Sequence, residues 1–258
     1  MPVLVIDVGN TSTVFGLMDG TVPVFTWRTE TDDRKTDLEY MVDLKTLFDT
    51  HGIPLSSVEA CVTASAVPKT DAILESALVR LFSKVPLRVT PGTCGLEIRM
   101  DHPEELGGSL AASAMAVLRE YPLPAAVVRL GTATTVSVLD EEGRCTGGAM
   151  IPGLVSSLNA LTGKAAALPD TSVTAPTHRL GTNTADCLNA GAFYGHAGMI
   201  DGLLTGMEEA YRPFRSVVMT GRLSEPLQPF LRHPAVCDRD LTLRGLVYIL
   251  EENRRARP

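Results

Sequence analysis

Val3 to Ile6 is an unbroken apolar run of strand length, as a strand buried on both faces requires. Asp7-Val8-Gly9-Asn10-Thr11 follows and reads as a turn. Thr13 to Met18 predicts a second strand, Asp19-Gly20 a hairpin turn and Val22 to Trp27 a third strand, so the chain opens as an antiparallel meander. From Thr36 the period changes. Thr36 and Glu39 have capping-box spacing, and Leu38, Met41, Val42, Leu47 and Phe48 recur on or near one helical face. Beyond them Val58–Thr63 predicts a strand, Thr70–Phe82 a helix, Leu87–Val89 a short strand and the Ala-rich Glu105–Arg119 a helix. Pro122 and Pro124 break the pattern and mark the expected boundary between a domain over 1–120 and a second over 121–258.

The second half restarts in the same way. Ala125–Leu130 is an apolar strand interrupted by Arg129, Gly131-Thr132-Ala133-Thr134-Thr135 a turn, and Val136–Leu139 and Cys145–Met150 strands joined at Glu141-Glu142-Gly143. An offset of 122 residues superposes the two openings, matching Val5 with Val127, Gly9 with Gly131, Thr13 with Thr135 and Leu17 with Leu139. Apolar matches are cheap, but a glycine and a threonine aligned within the turns predict an internal duplication. The same offset sets Arg129 against Asp7.

Length and charge narrow the classes. The 258 residues, 45% hydrophobic and 21% charged, suffice for one large or two modest domains whose core needs no metal or disulfide. A net charge of −7 argues against a general nucleic-acid or anionic-membrane surface and leaves a local basic site open. Cys61, Cys94, Cys145, Cys187 and Cys237 are scattered and form no C-x-x-C pair, which predicts buried reduced thiols. Asp7 interrupts the first apolar run too early for a signal peptide, and no apolar stretch reaches membrane-spanning length, so the expectation is a cytoplasmic protein.

Neither G-x-x-x-x-G-K-[ST] nor G-x-G-x-x-G occurs. The two openings offer another way of holding phosphate. Gly9 and Gly131 let backbone approach it closely. Turn N–H groups and the side chains of Asn10, Thr11, Ser12, Thr13 and Thr132 can point at its oxygens. Asp7, at a strand end, can hold a metal ion or water beside it. A single Asp-x-Gly-Asn-Thr is most simply a capped turn. Two such units at equivalent places favour a nucleotide held between two domains.

The chain resembles the type III pantothenate kinases, members of the acetate-kinase, sugar-kinase, Hsp70 and actin superfamily. Asp7–Thr11 and Gly131–Thr135 match the family's two phosphate motifs, Pro103–Gly107 the start of its pantothenate segment, and Gly147–Leu154 a loop of the family. Gly181–Thr184 matches a segment whose last threonine contacts pantothenate, and Thr220-Gly221 with Leu241–Leu246 match the C-terminal signature. The resemblance covers nearly the whole chain. It implies an α/β fold of two duplicated ribonuclease-H-like, actin-like ATPase domains, each a mixed sheet flanked by helices. It also implies a homodimer, ATP with Mg2+, and a monovalent cation, K+ or NH4+. The implied reaction turns ATP and pantothenate into ADP and 4′-phosphopantothenate, on the way to coenzyme A, with no nucleic acid or membrane partner. Asp7, Gly9–Thr13, Gly131, Thr132 and Gly221 fall at its nucleotide positions, and Gly107, Gly108 and Thr184 at substrate positions.

The departures share a location. Ser109 stands where the resemblance implies the aspartate that serves as general base, and Leu110 where it implies a substrate arginine. Arg129 replaces the aspartate that binds the monovalent cation, whose site is therefore expected to be lost. Met100 replaces an aromatic residue, Ser113 an asparagine and Arg222 a glycine. No histidine is an obvious substitute base, since His102 precedes proline at the segment's edge. A general base contributes about 10²–10⁴-fold, and a lost substrate arginine weakens binding as well. Three placements are open to Arg129: on ATP phosphates in place of the cation, paired with Asp7, or reaching solvent. The clustered losses favour a homologue with little or no kinase activity. A working kinase with a rearranged site, and a non-catalytic regulatory or accessory protein, are the alternatives.

Overall fold

The computed structural model describes residues 2–169 and 171–256. They form two compact units. One holds the chain up to Arg119 together with Asp240 onward, and the other Glu120–Arg239.

In the first unit β1 (Val3–Val8) is buried at every position, as its apolar run requires. It pairs antiparallel with β2 (Ser12–Asp19), which pairs antiparallel with β3 (Val22–Glu30). On its other side β1 runs parallel to β4 (Ala60–Ser65), and β4 to β5 (Leu87–Arg88), giving the order β3-β2-β1-β4-β5. Helix α1 (Asp37–Thr50) starts at the capping box foreseen for Thr36 and Glu39, with both reciprocal hydrogen bonds formed. With α2 (Pro68–Phe82) it covers one face, where Leu4, Ile6, Phe15, Leu44, Phe48, Leu74 and Leu78 make the core. Helix α3 is Gly108–Glu120.

The second unit repeats this plan. β6 (Ala125–Leu130), β7 (Ala133–Leu139) and β8 (Cys145–Pro152) form the meander, and β9 (Ser216–Thr220) and β10 (Val236–Cys237) add parallel strands. Its order, β10-β9-β6-β7-β8, is the first sheet's order read from the other edge. The duplication seen over the opening strands thus extends to whole sheets. Helices α4 (Leu154–Thr162) and α5 (Thr184–Ala210) fill the crossover, followed by the short α6 (Ser224–Leu227). Phe193, Ala197, Ile200 and Leu204 of α5 pack on Val128, Val136 and Met219.

Four expectations are corrected. The boundary expected at 121–258 fails at its far end, because α7 (Leu241–Arg255) returns to the first unit. Its Leu241, Leu246 and Ile249 are buried, and a Cβ on Gly245 would collide with the Ala112 carbonyl, so only glycine lets α7 and α3 approach so closely. The helix expected from Glu105 begins at Gly108, after a 3-10 turn over Pro103–Glu105, since the extended Leu106 interrupts it. The turns are shorter than expected. β1 runs through Asp7 to Val8, and β7 begins at Ala133 because the Gly131 N–H bonds the Ala133 carbonyl at 3.1 Å. Cys61, Cys94 and Cys145 are buried and Cys237 partly so, but Cys187 is exposed in the first turn of α5.

Candidate functional site

The expected site residues divide between the units. Asp7, Gly9–Thr13, Met100 and Gly107–Leu110 lie in the first, and Arg129, Gly131, Thr132, Thr184 and Gly221 in the second.

In the first unit Asp7 lies next to the end of β1, opposite Val14 on β2 and Ala64 on β4. Neither neighbour can hydrogen-bond a carboxylate through its side chain, and Asp7 is only 5% exposed. The Ser109 hydroxyl, in the first turn of α3, donates to Asp7 Oδ1. The N-terminal end of a helix adds a favourable field for that carboxylate. Gly108 allows the arrangement, because a Cβ there would stand 2.6 Å from the Val89 carbonyl oxygen. Ser113, fully buried, donates to the Ser109 carbonyl at 3.0 Å and lies 2.8 Å from the Thr242 hydroxyl on α7. Leu110 and Met100 are half-buried and carry no charge.

The turn beside Asp7 is braced by β3. The Gly9 N–H bonds the Ser12 carbonyl at 3.0 Å, and the Thr31 hydroxyl donates to the Gly9 carbonyl at 2.7 Å. The Thr13 and Thr31 hydroxyls are 2.9 Å apart, and Arg28 Nη1 donates to Ser12 Oγ at 2.8 Å. Asn10 and Thr11 are left exposed at the tip. Thr31 and Arg28 were missed in the sequence, since only the register of β3 brings them in, while Thr242, within the C-terminal signature, meets Ser113 only through the return of α7.

In the second unit Arg129 occupies the matching position and is half-buried. Its Nη1 lies 3.6 Å from where a Cβ on Gly131 would sit, so the guanidinium lies over the turn. Gly153, just before α4, donates its N–H to the Thr132 carbonyl at 2.9 Å, and Ser156 Oγ donates to the same oxygen at 2.7 Å. Gly221 has φ +103° and folds back on the Leu130 carbonyl, a conformation and a contact open only to glycine. Arg222 beyond it is exposed. His196 on α5 is buried against Thr134, 2.9 Å from the Thr134 hydroxyl to Nε2, and burial lowers its pKa. Thr184 is the exposed first residue of α5, on the rim of an apolar groove of about 530 Å³ lined by Leu154, Leu158, Leu161 and Met199. His102 is exposed and its Nδ1 lies 3.2 Å from Glu104 Oε1.

The sequence pattern of the type III pantothenate kinases matches residues 3–206. The chain belongs to the type III pantothenate kinase family. A type III pantothenate kinase from Halalkalibacterium halodurans is 35% identical over 252 residues, 97% of this chain and 99% of that one. Among solved structures, one described as a Baf family transcriptional activator from Campylobacter jejuni superposes with a TM-score of 0.62 at 17% identity, covering 98% of this chain and all of that one (100%). A ROK family glucokinase from Streptomyces griseus, bound to glucose and AMPPNP, gives 0.55 at 13% identity over 99% and 100% of the two chains. These likenesses support the actin-like ATPase fold.

The residues fit the family's ligands unevenly. Mg2+ in phosphoryl transfer is held largely by substrate phosphates with one or two carboxylates, and Asp7 offers one carboxylate. Arg129, at the position where the resemblance implies a cation-binding aspartate, is positively charged and has no lone pair to coordinate with. Among the described residues no helix is long and apolar enough to cross a membrane.

Proposed function

We propose that this member of the family keeps the fold and binds ATP with Mg2+, but transfers phosphate to pantothenate slowly or not at all. The observation that carries this reading is the Asp7–Ser109 hydrogen bond. Where a base should face the substrate hydroxyl there is a buried serine, whose proton is directed at Asp7. A serine hydroxyl is too weak a base near neutral pH to accept the proton released as the substrate oxygen attacks phosphorus. Leu110 offers nothing to a substrate carboxylate, and the monovalent cation is not expected to bind.

The test is ADP release by the purified full chain, coupled to a reporter, with and without pantothenate. Pantothenate-dependent turnover within about a hundredfold of ordinary kinase rates (~1–100 s⁻¹) overturns the reading. One observation favours a working enzyme as second reading. Ser109 already rests on a carboxylate, so it could take up the substrate proton as its own passes to Asp7, which ends protonated while the serine stays neutral.

We also infer a homodimer through α5. Gly191, Gly195, Gly198, Gly202 and Gly206 recur along its outer face with nothing within 4 Å of a Cβ on any of them. Each glycine costs about 1 kcal/mol of helix stability relative to alanine. That is offset where a second backbone comes close. Light scattering should give twice the chain mass, and Gly198→Leu should return it to one.

A further inference from the structure

In the second unit α5 borders another groove, of about 750 Å³, away from both phosphate turns. It is lined by α5 between Tyr194 and Glu209, by Arg179 before the helix, and by Arg232 and His233 after it. Some of its charge is answered within the chain. His233 Nδ1 lies 2.9 Å from the buried Asp201 and its Nε2 3.4 Å from Glu208. Arg179, Arg232 and Glu209 are different: all three are exposed, and none is in an ion pair among the described residues. Arg179 rests on the Tyr194 ring instead, its Cζ 4.8 Å from the centroid. Tyr194 and Glu209 are about four turns and about 22 Å apart along α5, so Arg179 and Glu209 cannot meet within one chain. A groove with an unanswered cation toward one end and an unanswered anion toward the other is complementary to itself under a two-fold axis.

We propose that a second copy of the chain closes this groove, with its α5 antiparallel to the first, and that Arg179 of each copy pairs with Glu209 of the other. This pairing rests on the homodimer inferred above through α5. A two-fold axis crossing the helix near Gly202, midway between Tyr194 and Glu209, brings each charge level with its opposite on the other copy. Gly198, Gly202 and Gly206 lie exposed along that stretch and let the two backbones come close. A parallel pair of helices would set Glu209 against Glu209 and Arg179 against Arg179. Arg232 is level with Asp201, which takes its N–H at 2.9 Å, and so stands about two turns from the paired carboxylate. An arginine stacked on a tyrosine ring and forked onto a carboxylate suits an interface of this kind.

The experiment is sedimentation, over a dilution series, of the full chain and of two charge reversals, Arg179→Glu and Glu209→Arg. Each reversal sets like charges together twice in the dimer, so the dissociation constant should rise about tenfold or more. Mixing the two variants in equal amounts joins opposite charges at both contacts. The mixture should recover the parent affinity to within about threefold, in a dimer that native mass spectrometry shows to hold one copy of each. No effect of either reversal overturns the pairing, and so does a weakened dimer that mixing does not restore. In both cases the parent dimer stands, and with it the homodimer reading. A parent chain that stays monomeric removes that reading and this pairing with it. Should a reversal not fold, Arg179→Gln and Glu209→Gln take its place. Together they should weaken the dimer little more than either does alone, and losses that simply add overturn the pairing.

Discussion

Asp7 and Arg129 occupy matching positions near the ends of β1 and β6, yet the two sheets set different residues beside them. Asp7 has Val14 and Ala64 beside it in the sheet and takes a hydrogen bond from Ser109 on α3. Arg129 has two threonines, Thr135 and Thr220, beside it in the sheet. One backbone plan thus supports opposite charges, because the strand end sets where the charge sits and the flanking positions set what can approach it. In the first unit the Thr13 hydroxyl is paired and the carboxylate is buried. In the second the Thr135 hydroxyl is unpaired and Arg129 is half-buried, while the tips of both turns are exposed.

The comparison breaks most sharply if the charges are restored. Ser109→Asp with Leu110→Arg and Arg129→Asp should raise pantothenate-dependent ADP release by about 10²-fold or more, the contribution of a general base. Initial rates at saturating ATP measure it. No gain in a folded triple variant would move the cause of low activity elsewhere, to Met100 or Arg222. Ser109→Asp alone should be less stable than the parent chain, since it sets a second carboxylate against Asp7 and one of the two must stay protonated.

A smaller effect separates the backbones of the two turns. Gly221→Ala forces a positive φ on alanine and drives its Cβ into the Leu130 carbonyl. It should cost about 2–3 kcal/mol, at the upper end of overpacking losses. Gly9→Ala meets the Ser12 carbonyl oxygen at 3.0 Å without a positive φ and should cost about 1 kcal/mol. Urea unfolding of the two variants measures the difference, and equal losses would mean that the turns are braced alike.

Much of this was legible along the chain. The apolar runs of β1 and β6, the Asp19-Gly20 hairpin and the Thr36 cap depend on neighbours a few residues apart, and each formed as the local pattern requires. The charge inversion was legible too, because an offset of 122 residues exposes it. The destination of α7 was not, because its apolar stripe fits any apolar face, and it is matched to α3 by Gly245 against Ala112 and Thr242 against Ser113, pairings between distant stretches of chain. Nor was the Ser109–Asp7 bond, which joins residues 102 positions apart. The orphan hydroxyl of Thr135 depends on what a neighbouring strand lacks, and single-strand periodicity carries no record of that.

The buried Asp7 makes a third prediction. Ser109→Ala leaves the buried Asp7 carboxylate short of a donor and should cost about 1–3 kcal/mol. Asp7→Asn paired with Ser109→Ala should lose less than the two single changes added together. A coupling of about 1–2 kcal/mol in the double-mutant cycle is the expected size for groups in direct contact. Strict additivity would show that other groups hold Asp7 and that Ser109 is a bystander.

The smallest expected effect lies in acid and belongs to the second unit. Thr134 corresponds to Ser12 in the offset, but its hydroxyl meets the buried ring of His196, whereas Ser12 accepts from the permanently charged Arg28. Burial lowers the His196 pKa from its ordinary value of 6.5, so the folded chain refuses a proton that the unfolded chain takes up near that pH. Stability should therefore be fully present above pH 6.5, fall as the pH drops below it, and level off, for this group, below the folded pKa. His196→Gln has no proton to gain there and should flatten that part of the profile, even if it is less stable at pH 8. Chemical unfolding of both proteins from pH 8 to pH 5 measures the slope. Parallel profiles would mean that the ring protonates within the fold at little cost, and that the helix behind the second phosphate turn tolerates a charge beside Thr134.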